Sequence, residues 1–342
     1  MPRFAAAGML VALGVLLAGC TGGAPSVTAT PPPSGSAYVS DYSPPAATQL
    51  APLRGTTVPA GSLAHPSLAA KIDNHVGARP QVGLERTDIV FEELVEGGLT
   101  RYVALWHSDI PDLIGPVRSI RPMDPDIITP FGGIVAYSGG QEQFVAMMQA
   151  TPVLNVVFDY DDTGLFYRDD VHDSPHDVIL HAKDAVDRHS DLAPPAQQFA
   201  YSTDAATSTA AQDGAATASI NAVFSDERFP SFSWDDEHDY WLRSQEGAPD
   251  VDSNGDQLHA VNVVTLRVGI DWRYGEVPKT VMVGGGEAWF STGGKTLHGT
   301  WSKADQAAGI RLADENGTTV RLAPGNTWIE LVPTDGGSVA FG

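Results

Sequence analysis

Five arginines, Arg79, Arg86, Arg101, Arg118 and Arg121, fall within 43 consecutive positions, in a chain whose Lys and Arg total only 20. A guanidinium offers a planar fork of donors that suits two-point contact with carboxylate or phosphate. The same stretch carries Asp73, Asp88, Glu92, Glu93 and Glu96, with Lys71 just upstream. Two readings of this pattern stand. In one, arginines and carboxylates pair internally and fix loops. In the other they line a pocket for an anionic ligand, with Asp73, Asp88 and Glu96 orienting the arginines or holding a divalent cation such as Mg²⁺. Pro175-His176-Asp177 reads as a fixed turn that closes over such a pocket, which makes His176 a further ligand-binding candidate.

Other motifs carry less. His172 and His176 are four apart, but Ser174-Pro175 breaks any helix that would put them on one face. Asp250, Asp252, Asn254 and Asp256 imitate the start of a calcium loop. Its twelfth position is Val261 rather than the bidentate Glu, so a polar turn is the better reading. There is no G-x-S-x-G elbow, P-loop or dinucleotide fingerprint. No catalytic residue is assigned.

These residues need elements to hold them, and composition sets the frame. The chain has 342 residues, 42 of them Asp or Glu, and a net charge of −22. That balance argues against a nucleic-acid partner, because neutralising phosphates needs clustered basic residues. An apolar fraction of 42% is enough for folded cores. Cys20 is the only cysteine, which excludes a disulfide framework and a thiolate zinc cluster.

Arg3, the apolar run Ala5 to Ala18 and the tetrapeptide Leu17-Ala18-Gly19-Cys20 resemble a signal peptide ending in a bacterial lipobox. The resemblance implies removal of residues 1–19, lipidation of Cys20 and an anchor in the cell membrane, facing outside the cytoplasm. Residues 20–52, rich in Pro, Ser, Thr, Ala and Gly, read as the lipidated Cys and a disordered tether.

The fold class expected is α+β: an N-terminal mixed α/β domain over 53–200 with a small sheet, followed by a mostly antiparallel β domain over 220–342. Strands are expected at 68–72, 89–94, 102–107 and 134–137, with Gly97-Gly98 joining two of them. Short helices are expected at 141–150 and 181–189. Residues 201–219, of low complexity, read as a linker. Beyond them, strand signals at 261–270, 288–290, 297–301, 310–312, 318–322 and 328–332 read as a β-meander or small barrel.

Several of these motifs together resemble the YerB-like bacterial lipoproteins, whose two domains are classed as of unknown function. They are Ile72-Asp73-Asn74-His75, Ala78-Arg79-Pro80-Gln81, Val95-Glu96-Gly97-Gly98 with Thr100-Arg101, Ile114-Gly115-Pro116-Val117-Arg118-Ser119, and Ser138-Gly139-Gly140. Pro175-His176-Asp177 stands where the family has Pro-His-Asn. In the second half the likeness rests on Gly299-Thr300-Trp301 and Gly325-Asn326-Thr327-Trp328-Ile329. The resemblance implies a lipid-anchored envelope protein of two domains. A weaker likeness, in the order of Asp73, Arg86-x-Asp88 and a later Arg-bearing loop, is to the LytR-CpsA-Psr phosphotransferases, which use Arg and Asp around a magnesium-bound pyrophosphate lipid. This chain departs from them at Ser119, where an Asp is expected.

The expectation is a non-enzymatic lipoprotein that binds an anionic envelope ligand through the first domain. A phosphorylated lipid, a wall glycan or an acidic peptide would fit, and the second domain would face a protein partner or the wall. A Mg²⁺-dependent phosphotransferase acting on a pyrophosphate-linked lipid, and a structural module with every arginine paired, are the alternatives.

Overall fold

Runs of Val, Ile, Leu and Tyr bounded by Gly, Asp and Asn give this chain short strands, several of them buried on both faces. The computed structural model describes residues 41–342. The signal peptide, Cys20 and most of the tether lie outside the described residues. The main strands are β1 (Leu68–Asp73), β2 (Ile89–Leu94), β3 (Thr100–Trp106), β4 (Ile134–Tyr137), β5 (Leu154–Val157), β6 (Ser219–Val223), β7 (Ser231–Asp235), β8 (Tyr240–Gln245), β9 (Asn262–Val268), β10 (Gly284–Thr292), β11 (Lys295–Lys303), β12 (Thr327–Pro333) and β13 (Ser338–Phe341). The helices are α1 (Asp124–Ile128), α2 (Glu142–Gln149), α3 (Ala182–Arg188) and α4 (Thr209–Asp213).

One sheet of eleven strands runs β11-β10-β9-β12-β2-β3-β1-β4-β5, extended past β11 by Ala215–Ala216 and Arg311–Asp314. It is mixed. β12 pairs in parallel with β9 on one side and β2 on the other, and β1, β4 and β5 are parallel. The hairpins β2–β3 and β10–β11 are antiparallel, the second turning at Gly293-Gly294. Alternate side chains feed two cores. One gathers Ala69, Phe91, Val103, Val135, Val264 and Ile329 against Met123, Ile127, Phe144 and Met148 of the α1–α2 region. The other gathers Ala70, Val90, Tyr102, Val263 and Trp328 against Phe232 and Trp241 of a second sheet and Ala185 of α3. That second sheet runs β8-β7-β6-β13.

Most expected strands and helices form close to their predicted bounds, and the fold is mainly β; the run at 318–322 is a strand only at Arg321–Leu322, where it pairs with Ala200–Tyr201. Four further expectations change. The N-terminal strands do not make a small sheet of their own, because β12 from the far end of the chain pairs with β2. The second half is not purely an antiparallel meander, because β9 and β12 are parallel neighbours. Residues 201–219 are not a bare linker. Ser208 caps α4, its hydroxyl accepting from the Ala211 amide, and Ala210 is buried. The ordered unit also begins before residue 53. Residues 46–342 form one compact unit, in which Thr48–Leu50 pairs with Thr57–Pro59 and Ala51 is buried. No helix among the described residues is long and apolar enough to cross a membrane.

Candidate functional site

Strand register assembles the site. Asp73 closes β1 and pairs with Arg101 near the start of β3, and Arg101 in turn pairs with Glu93 of β2. The two-residue period puts Lys71, Asp73, Arg101 and Glu93 on the face that carries Ala69, Val103 and Phe91 deeper in the sheet. Glu96 comes from the β2–β3 turn, where Gly97 and Gly98 both take positive φ, 69° and 72°, which side chains with a Cβ resist. The segment after Pro116 lies along β1. The Asp73 amide donates to the Pro116 carbonyl at 2.9 Å, and the Arg118 amide to the Lys71 carbonyl at 2.8 Å. That seam fixes Arg118 and Arg121. Pro175-His176 arrives from the loop before Val178.

The result is a cavity of about 300 Å³ lined by Asp73, His75, Val95, Glu96, Leu99, Thr100, Arg101, Arg118, Arg121 and His176. Asp73 Oδ2 lies 2.6 Å from His176 Nδ1 and 2.9 Å from Arg118 Nε. The Arg118 contact is one of charge rather than an aligned hydrogen bond. Arg118 Nη1 donates to the Pro175 carbonyl at 3.0 Å. Arg121 Nε donates to Glu96 Oε2 at 2.8 Å, and its Nη1 to the Ile120 carbonyl at 2.9 Å. The rings of His75 and His176 stack, with centroids 4.3 Å apart.

Arg101 differs from its neighbours. It is buried, its Nη1 donates to the Ser119 carbonyl at 2.9 Å, and among the described residues it makes no ion pair with a carboxylate. Its Nε and Nη2 make no hydrogen bond, yet neither atom is sealed from solvent. Burial, then the charges of Arg121 and Arg118, lower its pKa to about 10, against the pull of Asp73 and Glu96. Burial also works against the Asp73 carboxylate, but Arg101, the bond to His176 and Arg118 together hold its pKa below the usual range. Burial likewise opposes Glu96, and Arg121 outweighs it. Burial and His176 lower the pKa of His75. Histidines aside, three arginines and two carboxylates leave the cavity one positive charge in excess.

Beneath the cavity lies Lys71, fully buried, in contact with Glu93 and 2.8 Å from Asp124 Oδ1. Burial lowers its pKa to about 8 in spite of Asp124. The opposite face of the same strands holds a second polar cluster. There Arg243, fully buried, bonds Glu92 Oε2 at 2.5 Å and contacts Asp250. Its guanidinium sits 4.6 Å over the Trp328 ring. Glu330 faces Glu92 across β12 and β2, and burial together with Glu92 pushes its carboxyl well above the ordinary range.

The structure therefore brings Asp73, Glu96, Arg101, Arg118, Arg121 and His176 to one cavity, and places three other predicted residues elsewhere. Arg79 bonds Asn74 Oδ1 and Glu246 Oε2, the latter at 2.9 Å. Arg86 pairs with Asp109 at the surface. Asp88 accepts from the amides of His107 and Ser108, at 2.8 and 2.7 Å. The reason is geometric: Arg86 and Asp88 precede β2, so they sit at the other end of the sheet from its Glu93 terminus. His172 bonds Asp169 Oδ2 at 2.7 Å, outside the cavity. In the calcium-like loop, Asp252 instead accepts from the Gly83 and Leu84 amides, at 3.0 and 3.1 Å. Among the described residues, no group of three or more His, Cys, Asp or Glu is placed to hold a metal. His75 was not singled out from the sequence, and its place two residues after Asp73 was the available signal.

Two family models match the chain: "Protein of unknown function (DUF3048) N-terminal domain" over residues 54–193, and the corresponding C-terminal domain over residues 220–329. The chain is 26% identical over 302 residues to "Putative lipoprotein YerB" of Bacillus subtilis (strain 168), spanning 85% of this chain and 89% of that one. The crystal structure of YerB protein from Bacillus subtilis superposes with a TM-score of 0.74 at 22% identity, over 85% of this chain and 99% of that chain. The two proteins share a fold, and this chain belongs to the YerB-like, two-domain DUF3048 family.

Proposed function

We propose that this family member is a lipid-anchored cell-envelope protein that binds an anionic ligand in the cavity around Arg101. The anchor reading rests on Leu17-Ala18-Gly19-Cys20 and on the likeness to the Bacillus subtilis lipoprotein YerB. The binding reading rests on one observation: Arg101 is a buried cation without a carboxylate partner among the described residues, and its unbonded nitrogens are open. Burying a charge is costly unless a counter-charge meets it. A structural module with every arginine paired would not leave Arg101 in that state. A Mg²⁺-dependent transferase would need carboxylates free for the metal. Asp73 and Glu96 are each engaged by an arginine, so the donor set does not fit that ion.

The test is thermal denaturation of the full-length protein in detergent with pyrophosphate, a prenyl pyrophosphate analogue or wall fragments, each with and without Mg²⁺. A ligand at 100 times its Kd stabilises by about 2.7 kcal/mol. The expected result is stabilisation that does not require Mg²⁺ and that Arg118→Ala removes. No shift with any anion would return the site to internal pairing. A shift seen only with Mg²⁺ would favour the transferase.

A further inference from the structure

The cavity's donors can be counted, and the count says more than the charge does. Arg101 offers Nε and Nη2. Arg118 and Arg121 use Nε and Nη1 on protein atoms, and among the described residues each keeps an Nη2 that makes no hydrogen bond and is not sealed from solvent. These donors come from two segments, β3 and two positions of the loop after Pro116, and all line the one cavity. A carboxylate presents its two oxygens in one plane, so it faces a single guanidinium fork edge-on. Three forks around one small space suit an anion whose oxygens point in several directions.

His176 adds a feature of the opposite kind. Its Nδ1 lies 2.6 Å from a carboxylate oxygen, so that nitrogen carries the proton. In the neutral ring Nε2 is then a bare acceptor. It makes no hydrogen bond and is open to solvent. Stacking on His75 holds the ring plane. A site with several donors and one acceptor is complementary to a tetrahedral oxyanion that keeps a single proton.

We infer that the ligand group is a phosphomonoester or inorganic phosphate in its monoprotonated form. Its oxygens accept from Arg101, Arg118 and Arg121, and its one hydroxyl donates to His176 Nε2. This deepens the anion-binding reading and rests on it. Phosphomonoesters hold that proton below a second pKa of about 6, whereas sulfate and acetate have none to give near neutrality.

The full-length protein in detergent is titrated calorimetrically, at about pH 7, with inorganic phosphate, glycerol 3-phosphate, sulfate and acetate. Phosphate or glycerol 3-phosphate is expected to bind at least tenfold tighter than sulfate or acetate. Tighter glycerol 3-phosphate assigns an ester-borne group, and tighter inorganic phosphate assigns the free ion. Arg101→Gln is expected to abolish binding of every anion. His176→Asn keeps a donor toward Asp73 and deletes Nε2. It is expected to leave sulfate unchanged and bring phosphate down to the sulfate level, with the melting temperature read alongside to show that the fold survives. Sulfate or acetate matching phosphate on the native protein overturns this inference and leaves the anion reading standing. Absence of binding in every arm overturns both.

Discussion

Two arginine–carboxylate clusters occupy opposite faces of the same strands, and they have been built to different ends. Around Arg243 the charge is met from within, although among the described residues its Nε has no hydrogen-bond partner. Glu92 and Asp250 neutralise it, Trp328 and Tyr102 cover its guanidinium, and the side chain has no exposed surface. Around Arg101 the inventory is similar in type, but the pairing stops short. Arg118 and Arg121 have taken Asp73 and Glu96, and Arg101 is left facing an open space. Neighbouring residues of β2, Glu92 and Glu93, serve the two faces separately. On the proposed reading, residue type does not separate a structural cluster from a binding one. Completeness of pairing does.

The sharpest way to test that contrast is Arg243→Met. Removing the cation strands Glu92 and Asp250 in the core and should destabilise the protein by about 3–5 kcal/mol in urea denaturation. Anion affinity should be unchanged if the two clusters are independent. Arg101→Gln should do the reverse, losing the ligand with little change in the urea midpoint. An equal loss of stability in both variants would collapse the distinction.

A smaller effect is expected at the Asp252–Glu85 contact, where burial and then Glu85 raise the Asp252 pKa from 3.8 to about 8. A carboxyl whose pKa is raised on folding stabilises below its unfolded pKa, and that contribution is lost as pH rises through the folded value. Stability on this account falls between about pH 4 and pH 8. Glu85→Gln removes part of the shift, so its unfolding free energy in urea should match the native protein near pH 4 and exceed it near pH 8, by on the order of 1 kcal/mol. A parallel displacement at all pH values would assign the effect elsewhere. The smallest effect belongs to Arg86, whose pairing with Asp109 lies at the surface. Arg86→Ala should cost no more than about 1 kcal/mol and leave anion titrations unaltered, which places it outside both clusters.

Much of the local structure could be read from the chain because it depends on neighbours in sequence. Gly97-Gly98 marks the β2–β3 turn, and the apolar runs at 89–94 and 134–137 become strands with those bounds. Part of the site was legible for the same reason. Arg118 and Arg121 share one loop, and His176 sits beside Pro175. What the sequence could not reveal was set by register. Whether Asp73 meets Arg101 or points to the other core depends on a one-residue choice in the pairing of β1 with β3. Arg86 and Asp88 looked equivalent to Arg101 by spacing and lie at the wrong end of β2. Arg243 and Glu330 were invisible as partners of Glu92, since 151 residues separate Arg243 from it. The parallel contact of β12 with β2 left no local trace either.

That contact sets a timetable. The strand that closes the sheet between β9 and β2 comes long after β2 in the chain, at Thr327–Pro333 against Ile89–Leu94. Until residues 327–333 emerge, β2 presents an open, apolar edge that nothing nearer in sequence covers. The sheet that carries the cavity is therefore latched by a strand from the far half of the chain, so β2 stays unlatched until both halves are in place.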